Sequence, residues 1–331
     1  MEGRARDLSR CSERMPYRHD VFLSYRRDPL LALQKTAEKL KETAANVQKL
    51  GEVPDAIEAV KTALDQPKAT PPQTSGGAME YGERELKRDC EGPDVAELQL
   101  RLAGFRGTLP DGEFGPGTER QVMNFQRDYM KLAQPSGRAD AATLRAIDKF
   151  ADDYPIDFGK LKCPCGECAG FGAGKDRGAY LAGHPKDEAH HLYEYPGMHR
   201  MLLWAVRGVF FYMPEHRFTV NSGYRCSADN AKNDRTTTNH YGKAIDIDIV
   251  LTARECNVDD KRKCEAARGR IVATADAQVG WGAPNRKALE PPDIAPTWVH
   301  YDVRCYEPKY LADALFCTSL AALDNRKPIR F

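Results

Sequence analysis

Thr219-Val220-Asn221-Ser222-Gly223-Tyr224-Arg225-Cys226, then a polar link, then His240-Tyr241-Gly242-Lys243-Ala244-Ile245-Asp246-Ile247-Asp248-Ile249-Val250: this stretch carries most of the chemistry in the chain. From Ile245 the residues alternate Ile and Asp up to Val250, which predicts a strand with one apolar face. Side chains alternate across a strand, so Asp246 and Asp248 point to the same side. Arg225 follows a short β-prone segment around Phe218 and Val220. Carboxylates on a half-buried strand beside His240 suit a metal site. The plainer reading is a solvated edge face.

A distant segment, Trp298-Val299-His300-Tyr301-Asp302-Val303, alternates in the same way. His300 and Asp302 share one of its faces, and Val299, Tyr301 and Val303 share the other. Two histidines and one aspartate give Zn²⁺ three protein ligands and leave the fourth position open, as in catalytic rather than structural sites.

Ser222-Gly223-Tyr224-Arg225, then His240 with Gly242, Ala244 and Asp246, then Val299-His300 with Asp302, resembles the zinc D-Ala-D-Ala peptidases. That group includes the VanX and VanY type enzymes, phage endolysins and murein endopeptidases, and is related in fold to the hedgehog domain. The resemblance covers about residues 155–320. By position it implies His240, Asp246 and His300 as zinc ligands, with Arg225 on the substrate or the developing oxyanion. Two departures stand out. One residue fewer separates His240 from Asp246 than the family usually has, which leaves open a register with Asp248 as the ligand. The Glu that many members carry shortly before the last His is absent, since Thr297 and Trp298 occupy those positions. Asp293, Asp248 and Asp302 are the candidates for general base.

The chain has 331 residues, enough for two or three domains. Lys+Arg number 49 against 48 Asp+Glu, a net charge of +1. This argues against a nucleic-acid partner, for which a concentrated basic surface is expected. No membrane segment is expected: residues 201–213 are apolar but short, and Arg207 and Gly208 interrupt them. No standard signal peptide is visible. The ten cysteines are many for a cytosolic protein. Cys256/Cys264 and Cys305/Cys317 are local pairs. Cys163-Pro164-Cys165-Gly166-Glu167-Cys168, with Cys226, offers further pairing or a structural zinc knot. Disulfides formed after export are the expectation.

Residues 19–27 resemble the first strand of a TIR domain over too short a span to carry weight. Residues 30–50 and 55–64 read as amphipathic helices, a candidate docking element. Residues 66–79 read as a linker rich in Pro, Gly, Ser and Thr. Residues 80–150 form a unit of three helices separated by turns at 110–115 and 137–140. Its Asp94-Val95, Leu98-Gln99, Asp111-Gly112, Phe114-Gly115, Thr118, Val122, Phe125-Gln126 and Gly137 resemble the three-helix peptidoglycan-binding domain. Asp94, Thr118 and Asp140 or Ala141 stand where helix caps are needed. Residues 200–213 read as a core helix under the sheet. His184, His190, His191 and His199 lack a strand-borne carboxylate and read as surface or pocket-rim residues.

The expectation is an α+β chain: residues 1–65 helical, 66–79 linker, 80–150 all-α and peptidoglycan-binding, 151–331 an antiparallel sheet with helices in the manner of the D-Ala-D-Ala peptidases. The expected function is peptidoglycan hydrolysis at an amide of the stem peptide or cross-link. Zn²⁺ is the cofactor, and Arg225, Asp293 and Asp302 are the catalytic candidates. The rival is a non-catalytic zinc-containing wall-binding protein. Peptidoglycan is the expected partner. Delivery to the periplasm as an antibacterial effector would add a secretion-system component and an immunity protein; release as a phage lysin is the other route.

Overall fold

The computed structural model describes residues 79–107, 109–183, 192–214, 217–250, 258–272, 289–303 and 306–326. The readings of residues 19–27, 30–50, 55–64 and 66–78 lie outside the described residues, as do His184, His190, His191, Cys256 and Cys305. Everything described falls in one compact unit, Gly76–Phe331.

Three helices come first: α1 (Pro93–Arg101), α2 (Pro116–Asp128) and α3 (Ala141–Asp153). Val95, Leu98, Val122, Phe125, Leu144, Ile147 and Phe150, spaced three or four apart within each helix, form their buried stripes. Asp140 caps α3, its carboxylate accepting from the Thr143 N–H at 2.8 Å. The expectation for Asp94 and Thr118 is corrected: both lie inside their helices, and Gly92 and Gly115 hold the cap positions. A proline opens each of these helices, where its missing N–H costs nothing. Asp94 instead binds Arg84 at 2.7 Å. Thr118 Oγ1 accepts from Gln99 Nε2 at 2.9 Å.

Two glutamines stitch the turns. Gln99 donates to Asp111 and to the Glu113 carbonyl, and accepts from the Gly112 N–H. Gln126 does the same for the next turn, through Ser136, the Arg138 carbonyl, Thr143 and the Gly137 N–H. Both are buried, so these bonds offset the loss of water at the amide.

The remainder is α+β. Two short helices, α4 (Phe158–Leu161) and α5 (Arg177–Gly183), precede strand β1 (Met198–His199) and helix α6 (Arg200–Tyr212). Strand β2 (Arg217–Ser222), helix α7 (Ser227–Lys232), strand β3 (Ala244–Val250), helix α8 (Val258–Arg270) and strand β4 (Val299–Asp302) follow. Strand β5 (Phe316–Cys317) and helix α9 (Leu320–Leu323) end the fold. The strands make an antiparallel sheet in the order β2-β3-β4, and a second small sheet pairs β1 with β5. Ile245, Ile247 and Ile249 face the core, where α8 packs on β3 and β4.

Helix α6 is buried along Arg200 to Val209. It packs on α1 and β1, and its Phe210 ring stacks on Phe218 of β2 at 5.7 Å, in one core with Ile245, Ile247 and Val299. The approach to the helical region is close: a Cβ added at Gly208 would stand 2.5 Å from the Gly104 Cα. Charges buried by this packing are paired. Glu97 of α1 takes Arg101 at 2.8 Å and Arg200 of α6 at 2.7 Å. Arg207 takes Asp324 at 2.6 Å and lies 4.1 Å over the Trp204 ring. Helical and α+β regions therefore share one core and one buried ion network. Among the described residues, no helix is long and apolar enough to cross a membrane.

Candidate metal centre

The register of the sheet builds the site. Asp246 on β3 stands opposite His300 on β4 and opposite Ser222 on β2, where an irregularity between Val220 and Ser222 shifts the pairing. Directly opposed residues bring their Cβ atoms to about 5 Å. His240 arrives from the turn before β3, held by the Arg225 N–H, which donates to its carbonyl at 2.9 Å. The ligating atoms of His240, Asp246 and His300 lie within 4.8 Å of one another, and all three residues are buried. His240 Nε2 is 3.4 Å from Asp246 Oδ2, and His300 Nδ1 is 2.7 Å from Asp246 Oδ1.

Hydrogen bonds behind these atoms decide the protonation. The Gly223 carbonyl, an obligate acceptor, lies 2.7 Å from His240 Nδ1. The proton therefore sits on Nδ1, and the Nε2 lone pair faces Asp246. Burial pushes the His240 pKa down, which favours this neutral ring. His300 is the opposite case. Burial works against its charge, but Asp246 on one nitrogen and Asp302 on the other, at 2.8 Å, push its pKa up to about 9.

The other sequence candidates separate. Arg225 joins the group: its guanidinium pairs with Asp246 and donates to Ser222 Oγ at 2.8 Å. Asp302, named as a candidate base, is fully buried and bonded to Nε2 of His300, behind the ring from the atom that faces Asp246 and His240. Asp248 lies one pleat further along β3, opposite Thr219, and takes a bond from Asn221 Nδ2 at 3.3 Å. Asp293 is exposed in the turn before β4. His199, expected at the surface, is buried: its Nε2 bonds the Tyr310 carbonyl at 2.8 Å, and its ring packs edge-on against Tyr306 and Phe316.

Sequence reasoning missed two acids. Glu290 places a carboxylate oxygen 3.9 Å from His300 Nε2. Buried Glu194 accepts N–H bonds from Ala173, Lys175 and Ser227, tying the 173–175 loop to the start of α7. Neither sits in a pattern that spacing could have flagged. The Gly223 carbonyl was equally invisible, being backbone.

Two imidazoles and a carboxylate, each imidazole held at its second nitrogen by a carbonyl or a carboxylate, fit a zinc ion and the outer support that zinc ligands need.

Residues 91–147 match the family model of a peptidoglycan binding domain. Over 170 residues the sequence is 29% identical to a zinc D-Ala-D-Ala carboxypeptidase from Streptomyces albus G. That match takes in 49% of this chain and 60% of the relative, so the chain spans less than two thirds of the relative's length. A peptidoglycan-binding unit joined to a segment akin to the zinc D-Ala-D-Ala peptidases is the composition that the sequence motifs also indicate.

Proposed function

We propose that the protein is a zinc-dependent peptidoglycan peptidase that hydrolyses an amide of the stem peptide or cross-link. The observation that carries this reading is the convergence of His240, Asp246 and His300 within 4.8 Å in a chain that also matches a peptidoglycan binding domain. Zn²⁺ bound by those three side chains would activate a water and polarise the scissile carbonyl.

The chain's own residues do the rest. Gly223 and Asp302 fix the two imidazoles, so that His240 offers Nε2 and His300 offers Nδ1. Arg225, anchored on Ser222 and Asp246, sets a positive charge beside the ligand cluster, suited to a developing oxyanion. Proton transfer requires a carboxylate, and we assign it to Asp293, exposed on the approach to β4. The peptidoglycan-binding unit keeps the catalytic region on its polymer, raising the local substrate concentration.

The rival reading, a wall-binding protein without catalysis, is favoured by Thr297 and Trp298 standing where the family usually carries its Glu. Incubation of the full chain with purified peptidoglycan, with and without chelator, separates the two. Mass analysis should show new peptide termini only in the metal-loaded sample. Binding to the polymer with no new termini would establish the rival.

A further inference from the structure

We propose that Cys163, Cys165, Cys168 and Cys226 form a second metal site, a four-thiolate cage that holds Zn²⁺ in a structural role. Their sulfur atoms all lie within 4.8 Å of one another. A tetrahedral zinc with Zn–S bonds of about 2.3 Å sets its sulfurs about 3.8 Å apart. Cys165 Sγ stands 3.6 Å from Cys168 Sγ and 3.5 Å from Cys226 Sγ. Those separations match a cage and greatly exceed the roughly 2.05 Å of a disulfide bond. No two of these four sulfurs are bonded to each other, which favours the metal alternative over the disulfides expected from the sequence.

The backbone is folded to support negative sulfur. Cys165 Sγ accepts from the N–H groups of Glu167 and Cys168, each at 3.3 Å. Cys168 Sγ accepts from Gly170, Cys163 Sγ from Cys226 and Cys226 Sγ from Asp229. Every one of the four sulfurs thus receives a backbone N–H. Gly166, between Cys165 and Cys168, has φ near 75°, the left-handed conformation that lets this short loop curl back on itself. Binding replaces thiol protons with the cation, and the protons leave to solvent.

The location gives the cage its role. It ties the 163–168 loop to the residue that follows Arg225, at the start of α7. Leu161 and Tyr224 add a backbone bond of 2.8 Å beside it. Gly223, whose carbonyl holds His240, is three residues before Cys226. The cation would therefore hold in place the segment that carries both Arg225 and the support of His240.

The test uses the full chain, purified without oxygen and supplied with Zn²⁺ or Co²⁺. The wild type should bind about two zinc ions, and His240→Ala about one. Cobalt in His240→Ala should give the intense near-ultraviolet thiolate-to-cobalt charge-transfer band. Cys168→Ser should lose that band and about one zinc ion. A His240→Ala protein without the band overturns the proposal, as does alkylation in denaturant and chelator, without reductant, that leaves the four cysteines unmodified, since only disulfides resist under those conditions. Neither of these readings requires a Cys variant to fold. The band needs no turnover, so peptidase activity lost with the band intact counts against the proposed function alone. Activity kept with the band absent counts against this site alone.

Discussion

At the scale of single residues, the second nitrogen of each histidine separates a ligand from its support. Asp302→Asn should keep the fold yet weaken zinc binding at the His240 site by about 10–100-fold, as loss of an outer partner does. Competition with a chelator measures it; zinc affinity unchanged with turnover lost would return Asp302 to the role of base. Arg225→Ala should retain zinc and lose turnover by roughly a hundredfold; near-normal turnover would remove Arg225 from the chemistry. The metal-free chain should also show a pH signature. The His300 pKa rises from 6.5 to about 9 on folding, because two carboxylates outweigh its burial. A raised pKa contributes stability that is full below about 6.5 and is lost as pH rises through about 9. The Tm of chelated protein should fall across that window, and His300→Gln should flatten the fall. A Tm independent of pH in the unmutated chain would contradict the pairing.

At the scale of elements, the join between α1 and α6 rests on a buried carboxylate shared by two guanidiniums. Glu97→Ala strands Arg101 and Arg200, both nearly fully buried, and should lower stability by about 3–5 kcal/mol, read by denaturant unfolding. A loss under about 1 kcal/mol would mean that water reaches the arginines. The strands of the site were legible because a period of two fixes which side chains share a face. Asp246 with Asp248, and His300 with Asp302, needed nothing more. Register is set between strands, so sequence left Asp248 open as a ligand, and the pairing of Asp246 with His300 decides the geometry. The role of Asp302 was hidden because spacing does not say which ring nitrogen an acid will meet. Asp94 and Thr118 misled for a related reason: a cap residue and the second or third residue of a helix look alike until the glycine before the proline takes the cap position. His199 was misread because three nearby histidines suggested a polar rim, whereas its own neighbours are Tyr306 and Phe316.

At the scale of the whole molecule, one core runs from the three helices that match a peptidoglycan binding domain to the sheet that carries the candidate metal centre. The account's central claim is that His240, Asp246 and His300 hold the zinc that cleaves the polymer. Its most direct test is a parallel digestion of purified peptidoglycan by the wild type and by His240→Ala, with the zinc content of each measured first. The account predicts new peptide termini from the wild type alone, and one zinc ion fewer in the variant. Digestion by His240→Ala at the wild-type rate would contradict it.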